Sequence, residues 1–338
     1  MSDTNLHLET GWKCLEEGDF AGARRQADRE IGDDPQNPEA LLLLAACCRG
    51  EGKPEKAMEL LEQALVADAE WGAPALWMAE VLAEDLGRTA EALKYAGVAL
   101  DRADEESEFL DAVVLKAGLE IQLGKVKAAQ ATLAELPPAH EVKLPDELSL
   151  DLAYLFLDAS LTGDAEGRFR ALADADANDA EAWYGLGLCA EANQDEAGKR
   201  KAWLRVLAID GDSSLQDPHM SEAEMAEVAE SALKELPEPT RKLIQNVPIL
   251  IVDLPAREEV EQGMDPRLLG MFEGTAYSDS ASLGGAPQLT QILLFRKNLE
   301  RMAFDSEDLR EQIRITLLHE TGHFFGMSEE DLADVGLD

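Results

Sequence analysis

Gly18-Asp19-Phe20-Ala21-Gly22-Ala23 recurs as Gly52-Lys53-Pro54-Glu55-Lys56-Ala57, Gly87-Arg88-Thr89-Ala90-Glu91-Ala92 and Gly124-Lys125-Val126-Lys127-Ala128-Ala129, at spacings of 34, 35 and 37 residues. Weaker copies begin at Gly163-Asp164-Ala165 and at Asn193-Gln194-Asp195-Glu196-Ala197. Between the copies the chain is rich in Ala, Leu and Glu. Each glycine ends one helix, because it alone adopts a left-handed backbone at no steric cost, and each following alanine lets the next helix pack closely. The pattern predicts stacked helix pairs over residues 1–210.

A helix-turn-helix unit of about 34 residues resembles the tetratricopeptide repeat (TPR), and Pro35, Pro38 and Pro74 fall between units as such repeats often show. Large aromatic positions are thinly filled, by Trp12, Trp77 and Trp183-Tyr184, and Pro137-Pro138 with Pro145 interrupts the array. A helical solenoid with an irregular middle is expected. The resemblance implies a surface for a protein or peptide partner, although a solenoid can also serve as a rigid spacer.

A length of 338 residues suggests two or three domain-sized units. The net charge of −39 argues against nucleic acid and anionic membrane as partners, since both require clustered Lys and Arg. It permits basic partners, and solvation of helical faces also accounts for it. Cys14, Cys47, Cys48 and Cys189 have neither disulfide-framework nor zinc-ribbon spacing and read as small core residues. With no basic n-region, no apolar h-region and no run of eighteen apolar residues, a cytoplasmic protein is expected.

Residues 211–246 read as a helical junction, with an amphipathic helix from Ser221 to Leu236 followed by Pro237-Glu238-Pro239. A second domain is expected over 247–338. Val247-Pro248-Ile249-Leu250-Ile251-Val252 and Gln291-Ile292-Leu293-Leu294-Phe295 are short, apolar and β-branched, as buried strands are. Gly270, Gly274, Gly284, Gly285 and Pro287 mark loops between them, with a further short strand around Gly270 to Phe272.

The chemistry lies in His319-Glu320-Thr321-Gly322-His323. Ser306 can cap a helix whose first turn carries Glu307 and Asp308 and whose buried stripe is Leu309, Ile313 and Leu317. Residues four apart share one helix face, so His319 and His323 can offer two imidazoles to one zinc ion, Zn2+, with Glu320 roughly 100° round the helix as catalytic base. Zinc polarises a peptide carbonyl and lowers the pKa of water towards about 7, while the carboxylate takes a proton and passes it to the leaving amine. Gly326 reads as the residue ending this helix, and Ser328 with Asp331 as a fresh capping box. The third ligand is assigned to Glu329, ten residues after His319, with Glu330, Asp331 and Asp334 as alternatives. Glu329 and Glu330 can equally favour the next helix through its dipole.

Residues 247–338 resemble the minimal bacterial zincin-like metallopeptidase family, through Asp253-Leu254-Pro255, Leu269-Gly270-Met271-Phe272-Glu273-Gly274, Ile292-Leu293-Leu294-Phe295-Arg296 and His319 to Leu332. The resemblance implies a small α+β fold, a zinc site and proteolysis, with Glu329 where the family often has Asp. The expected architecture is multidomain, an all-α TPR-like solenoid followed by a small α+β zincin-like domain. The expected function is a cytoplasmic zinc metallopeptidase whose repeats recruit a protein partner or substrate; the rival is a non-catalytic adaptor with a structural or vestigial zinc site. Gln291 to Phe295 is expected as the sheet edge that takes a substrate strand, and a 240–338 fragment is expected to fold and bind zinc alone.

Overall fold

The computed structural model describes residues 3–136, 146–215, 217–236, 238, 241, 247–275 and 288–324. The chain packs as two compact units, Met1–Arg168 and Phe169–Asp338.

The first unit is helical: α1 (Asp3–Glu16), α2 (Phe20–Asp33), α3 (Pro38–Gly50), α4 (Pro54–Ala67), α5 (Ala73–Glu80), α6 (Thr89–Arg102), α7 (Glu106–Gln122), α8 (Val126–Leu133), α9 (Asp146–Asp158) and the start of α10 (Thr162–Ala175). From α1 to α8 each helix packs on the next. Gly18, Gly52, Gly87 and Gly124 all have left-handed backbones, with φ of 75°, 71°, 64° and 69°. Helices α1, α3 and α7 then close in the same way, the second residue of the turn donating to the carbonyl five residues back: Asp19 to Cys14 at 2.8 Å, Lys53 to Cys48 at 2.9 Å and Lys125 to Glu120 at 2.7 Å. The third turn differs because a π-helical segment, Val81–Asp85, precedes Gly87. A π turn absorbs one additional residue, which accounts for a spacing of 35 where the preceding one is 34.

In the two weaker copies the left-handed residues are Ser160 and Gln194, both at φ 60°. The fifth turn therefore falls at Ser160, not at Gly163, which lies inside α10. Its bonds still match the others, with Leu161 donating to Phe156 and Asp195 to Ala190, both at 2.8 Å. Five residues after each left-handed residue stand Ala23, Ala57, Ala92, Ala129 and Ala165, all fully buried, as close helix packing demands. The sixth copy has Lys199 there. Cys47 and Cys48 are buried in α3, and burial pushes the Cys47 thiol up to about 11. The Pro137-Pro138 and Pro145 interruption lies outside the described residues.

The second unit continues with α11 (Ala180–Ala192), α12 (Glu196–Asp212), α13 (Glu222–Glu235), β1 (Ile249–Val252), α14 (Arg257–Glu261), β2 (Gly270–Thr275), β3 (Gln288–Phe295), α15 (Arg296–Met302) and α16 (Ser306–Phe324). The sheet has the order β1-β3-β2, with β1 parallel and β2 antiparallel to β3. The strand containing Gln291 to Phe295 is thus central, and the expectation that it forms the edge is corrected. Ile292, Leu293, Leu294 and Phe295 are all buried, so this continuous apolar run belongs where both faces are covered, whereas Leu250 on β1 is exposed. Among the described residues the edges are β1 and β2.

One apolar core holds the unit together. Met225, Ala229 and Ala232 of α13 pack with Ile292 and Leu294 of β3 and with Leu309, Ile313 and Leu317 of α16. Ser221 and Glu224 start α13 with a reciprocal capping box. A second, polar set of contacts ties α15 to α12. Lys297 is buried, and its Nζ donates to the carbonyls of Asp210 (3.0 Å), Gly211 (3.1 Å) and Ser213 (2.6 Å), the oxygen-rich end of α12. The buried Asp210 carboxylate accepts from Arg301 at 2.7 Å and lies 3.7 Å from Arg267, whose other arm meets Glu181 of α11 at 2.7 Å. Glu300 accepts from the backbone of His219 and Met220, and Asn298 donates to Pro266 and Leu268.

This packing changes the expectation for a 240–338 fragment. A cut near Pro239 removes α13 and uncovers Leu309, Ile313 and Leu317, each worth about 1.5–3 kcal/mol when buried, against a whole-domain stability of about 5–15 kcal/mol. A fragment beginning at Thr162 is expected to unfold cooperatively on heating, while 240–338 shows no cooperative transition by circular dichroism. A cooperative transition in the shorter fragment would contradict the role given to α13.

Candidate metal centre

Helix α16 is started by Asp305, whose carboxylate accepts from the amides of Glu307 and Asp308, both at 2.9 Å. Those two bonds hold the Asp305 carboxyl below its usual range. The cap lies one residue ahead of Ser306, because a charged carboxylate serves the positive end of a helix better than a hydroxyl does. From there the helix runs unbroken for 19 residues, through His319, Glu320 and His323. Its stripe of Leu309, Ile313 and Leu317 is fully buried. Thr316 and Thr321 flank the stripe and are also buried, and the Thr321 hydroxyl donates to the Leu317 carbonyl at 2.6 Å, satisfying itself within the helix. His319 and Glu320 stand off the stripe, half-buried.

The described residues include the side chains of His319 and Glu320 and the helical backbone of His323. The His323 side chain, Gly326, Ser328, Glu329, Glu330, Asp331 and Asp334 lie outside them. Among the described residues no three His, Cys, Asp or Glu side chains gather as a metal-binding group. The backbone geometry fits the two-histidine half of such a group, since a continuous helix brings residues four apart onto one side.

Neighbouring elements fix the height and tilt of this helix. Helix α13 covers one side, and β2 crosses the other at Gly270. A Cβ at Gly270 would stand 2.9 Å from both the Leu293 carbonyl oxygen and the Thr316 methyl, so only glycine allows the strand this close. Asp253, just after β1, accepts from Arg296 at 3.0 and 2.7 Å and ties the ends of β1 and β3 together. A groove of about 730 Å3 between α13 and α16 is lined by Glu224, Glu227, Glu307, Asp308 and Glu311 among others; it follows the first half of α16, not the turn carrying His319.

Residues 244–337 match the zincin-like metallopeptidase family, and residues 15–82 and 150–214 match tetratricopeptide repeats. The chain joins tetratricopeptide repeats to a zincin-like metallopeptidase domain. No curated protein matches this chain. Similar solved structures include PilF of Pseudomonas aeruginosa (17% identity, TM-score 0.50, 62% of this chain and 93% of that one). They also include PilW, a widely conserved type IV pilus biogenesis factor (20% identity, TM-score 0.49, 63% and 96%). YrrB, a TPR protein with an unusual peptide-binding site, is a third (16% identity, TM-score 0.46, 55% and 93%). At these identities the PilF likeness speaks for the helical-repeat fold alone.

Sequence reasoning found the zincin-like helix and missed what supports it. Lys297, Asn298 and Glu300 are polar residues of a short helix, and nothing local distinguishes them from a solvated face. Gly270 was read as a loop marker and as the start of a short strand, which β2 bears out, but its close approach to Thr316 was not legible. Substituting Gly270 by Ala is expected to destabilise the second unit by about 1–3 kcal/mol through overpacking against Leu293 and Thr316. Thermal unfolding checks this, and an unchanged midpoint would contradict the close approach.

Proposed function

We propose that this protein is a cytoplasmic zinc metallopeptidase in which the repeats recruit a protein substrate or partner. The observation that carries the reading is the unbroken helix α16, which sets His319, Glu320 and His323 on its last turns inside the zincin-like region. His319, His323 and Glu329 would hold the ion, two imidazoles and a carboxylate being a donor set suited to zinc. When bound, zinc supplies Lewis-acid polarisation of the scissile carbonyl and acidifies water. Glu320, the neighbour of His319 on the helix, takes a proton from the attacking water and returns it to the departing amine nitrogen.

Substrate binding is assigned to β2. It is an edge strand, it pairs with β3 on one side, and among the described residues no strand covers its other side. Its start touches α16 at Thr316, so a peptide added along this edge runs beside the helix that carries the motif. Main-chain pairing is largely indifferent to sequence. Selectivity therefore falls to surfaces elsewhere on the chain, for which tetratricopeptide repeats are suited.

Replacing Glu320 by Gln keeps the shape and removes the basicity. The expected outcome is zinc content equal to wild type with hydrolysis of an unfolded protein reduced by about 100-fold or more. Wild-type hydrolysis by Glu320→Gln would sink the mechanism and favour an adaptor. His323→Ala is expected to lose stoichiometric zinc.

A further inference from the structure

The odd-numbered helices α1, α3, α5 and α7 of the first unit bring a set of aromatic and acidic side chains together. Trp12 of α1 and Trp77 of α5 lie with ring centroids 6.1 Å apart, tilted by 50°, and both pack on the apolar core of the repeats while staying half-buried, so part of each indole is open to solvent. Arg49 of α3 lies over the Trp77 ring, 5.9 Å from its centroid. Its guanidinium meets Glu80 at 2.7 Å, Asp85 at 2.8 Å and also Glu84. Asp111 of α7 is exposed. Burial raises the Glu80 carboxyl above its ordinary value, and the negative charges of Glu84 and Asp111 raise it further, although Arg49 opposes them.

Arg49 thus shows within the chain what this face accepts, a guanidinium stacked on an indole and surrounded by carboxylates. It neutralises one of four acids. Glu80, Glu84 and Asp85 all pair with it, but Glu84 is the most exposed of the three, and Asp111 is exposed as well. The residual charge is negative, in a chain of net charge −39, so a second copy of this protein or an acidic segment is repelled.

We propose that this face, Trp12 and Trp77 with Glu84 and Asp111, docks a basic segment of a partner protein through its arginine or lysine side chains. The assignment rests on the reading that the repeats recruit a protein, and it specifies the chemistry of what they recruit. Cationic side chains stack beside the exposed parts of the two indoles, and Glu84 and Asp111 supply the counter-charges. Because the attraction is between partly exposed charges, it weakens as salt rises.

The test uses the full chain and a short blocked peptide alternating arginine with alanine, its glutamate–alanine counterpart serving as control, with binding read by calorimetry and tryptophan fluorescence. The arginine peptide is expected to bind and to perturb the fluorescence, and the glutamate peptide to do neither. Glu84→Gln/Asp111→Asn is expected to weaken binding by about tenfold, and Trp77→Phe to weaken it as well. Glu59→Gln/Glu62→Gln, which removes the same charge from the exposed face of α4, is expected to change affinity less than twofold by the same arithmetic, about 0.4 kcal/mol. Equal weakening by both double variants would show that bulk charge alone attracts the peptide and would overturn the site; so would no binding. Hydrolysis dependent on Glu320 is measured separately, so failure here leaves the peptidase reading standing, and loss of that activity leaves this site standing.

Discussion

Everything proposed for the second unit depends on the burial of one helix stripe. Leu309, Ile313 and Leu317 of α16 are held between α13 and the central strand β3, and that contact orients the helix whose last turns carry His319, Glu320 and His323. A stripe repeating every four residues leaves the two histidines on a different side from the core. The same sequence period that makes the helix bury therefore sets both histidine positions off the stripe. Gly270 completes the arrangement by letting the edge strand β2 lie against Thr316, which brings the surface proposed for an extended peptide beside the motif.

The last helix pair of the repeats is built into this unit. Lys297 caps the carbonyl end of α12, Arg301 and Arg267 converge on Asp210, and Tyr184 of α11 donates to Asp265 in the loop before β2. Buried ionic groups of this kind add little net stability, because desolvation offsets their attraction, but removing one partner leaves an uncompensated charge and costs about 3–5 kcal/mol. Their effect is to specify geometry. The loop leading into β2 is bound to α11 and α12 by directional contacts, which fixes where the edge strand begins relative to the helix pair.

Much of this was legible in the sequence, and the exceptions have physical causes. Glycines at about 34-residue spacing predicted the first four turns because left-handed backbone selects glycine. The turn at Gln194 was read from its flanking residues without a glycine, and the one at Ser160 was displaced to Gly163, since at both the same hydrogen bonds hold a non-glycine residue in the same conformation. The stripe and the motif of α16 were readable from helical period alone. The central place of β3 was implied by its unbroken apolar run, but a wrong inference from its nearness to α16 along the chain assigned it to the edge. The polar contacts of Lys297, Asp210 and Arg267 could not be read, because each residue type is ordinarily solvated and the partners lie far apart in sequence.

The central claim is that this chain holds a catalytic zinc ion through His319, His323 and Glu329. X-ray absorption at the zinc edge of the purified full-length protein tests it most directly. The account predicts one zinc per chain in a shell of imidazole nitrogen and carboxylate oxygen, near 2.0–2.2 Å, with no sulfur and a position left for water. A shell containing sulfur, or protein that binds no stoichiometric zinc, would contradict it.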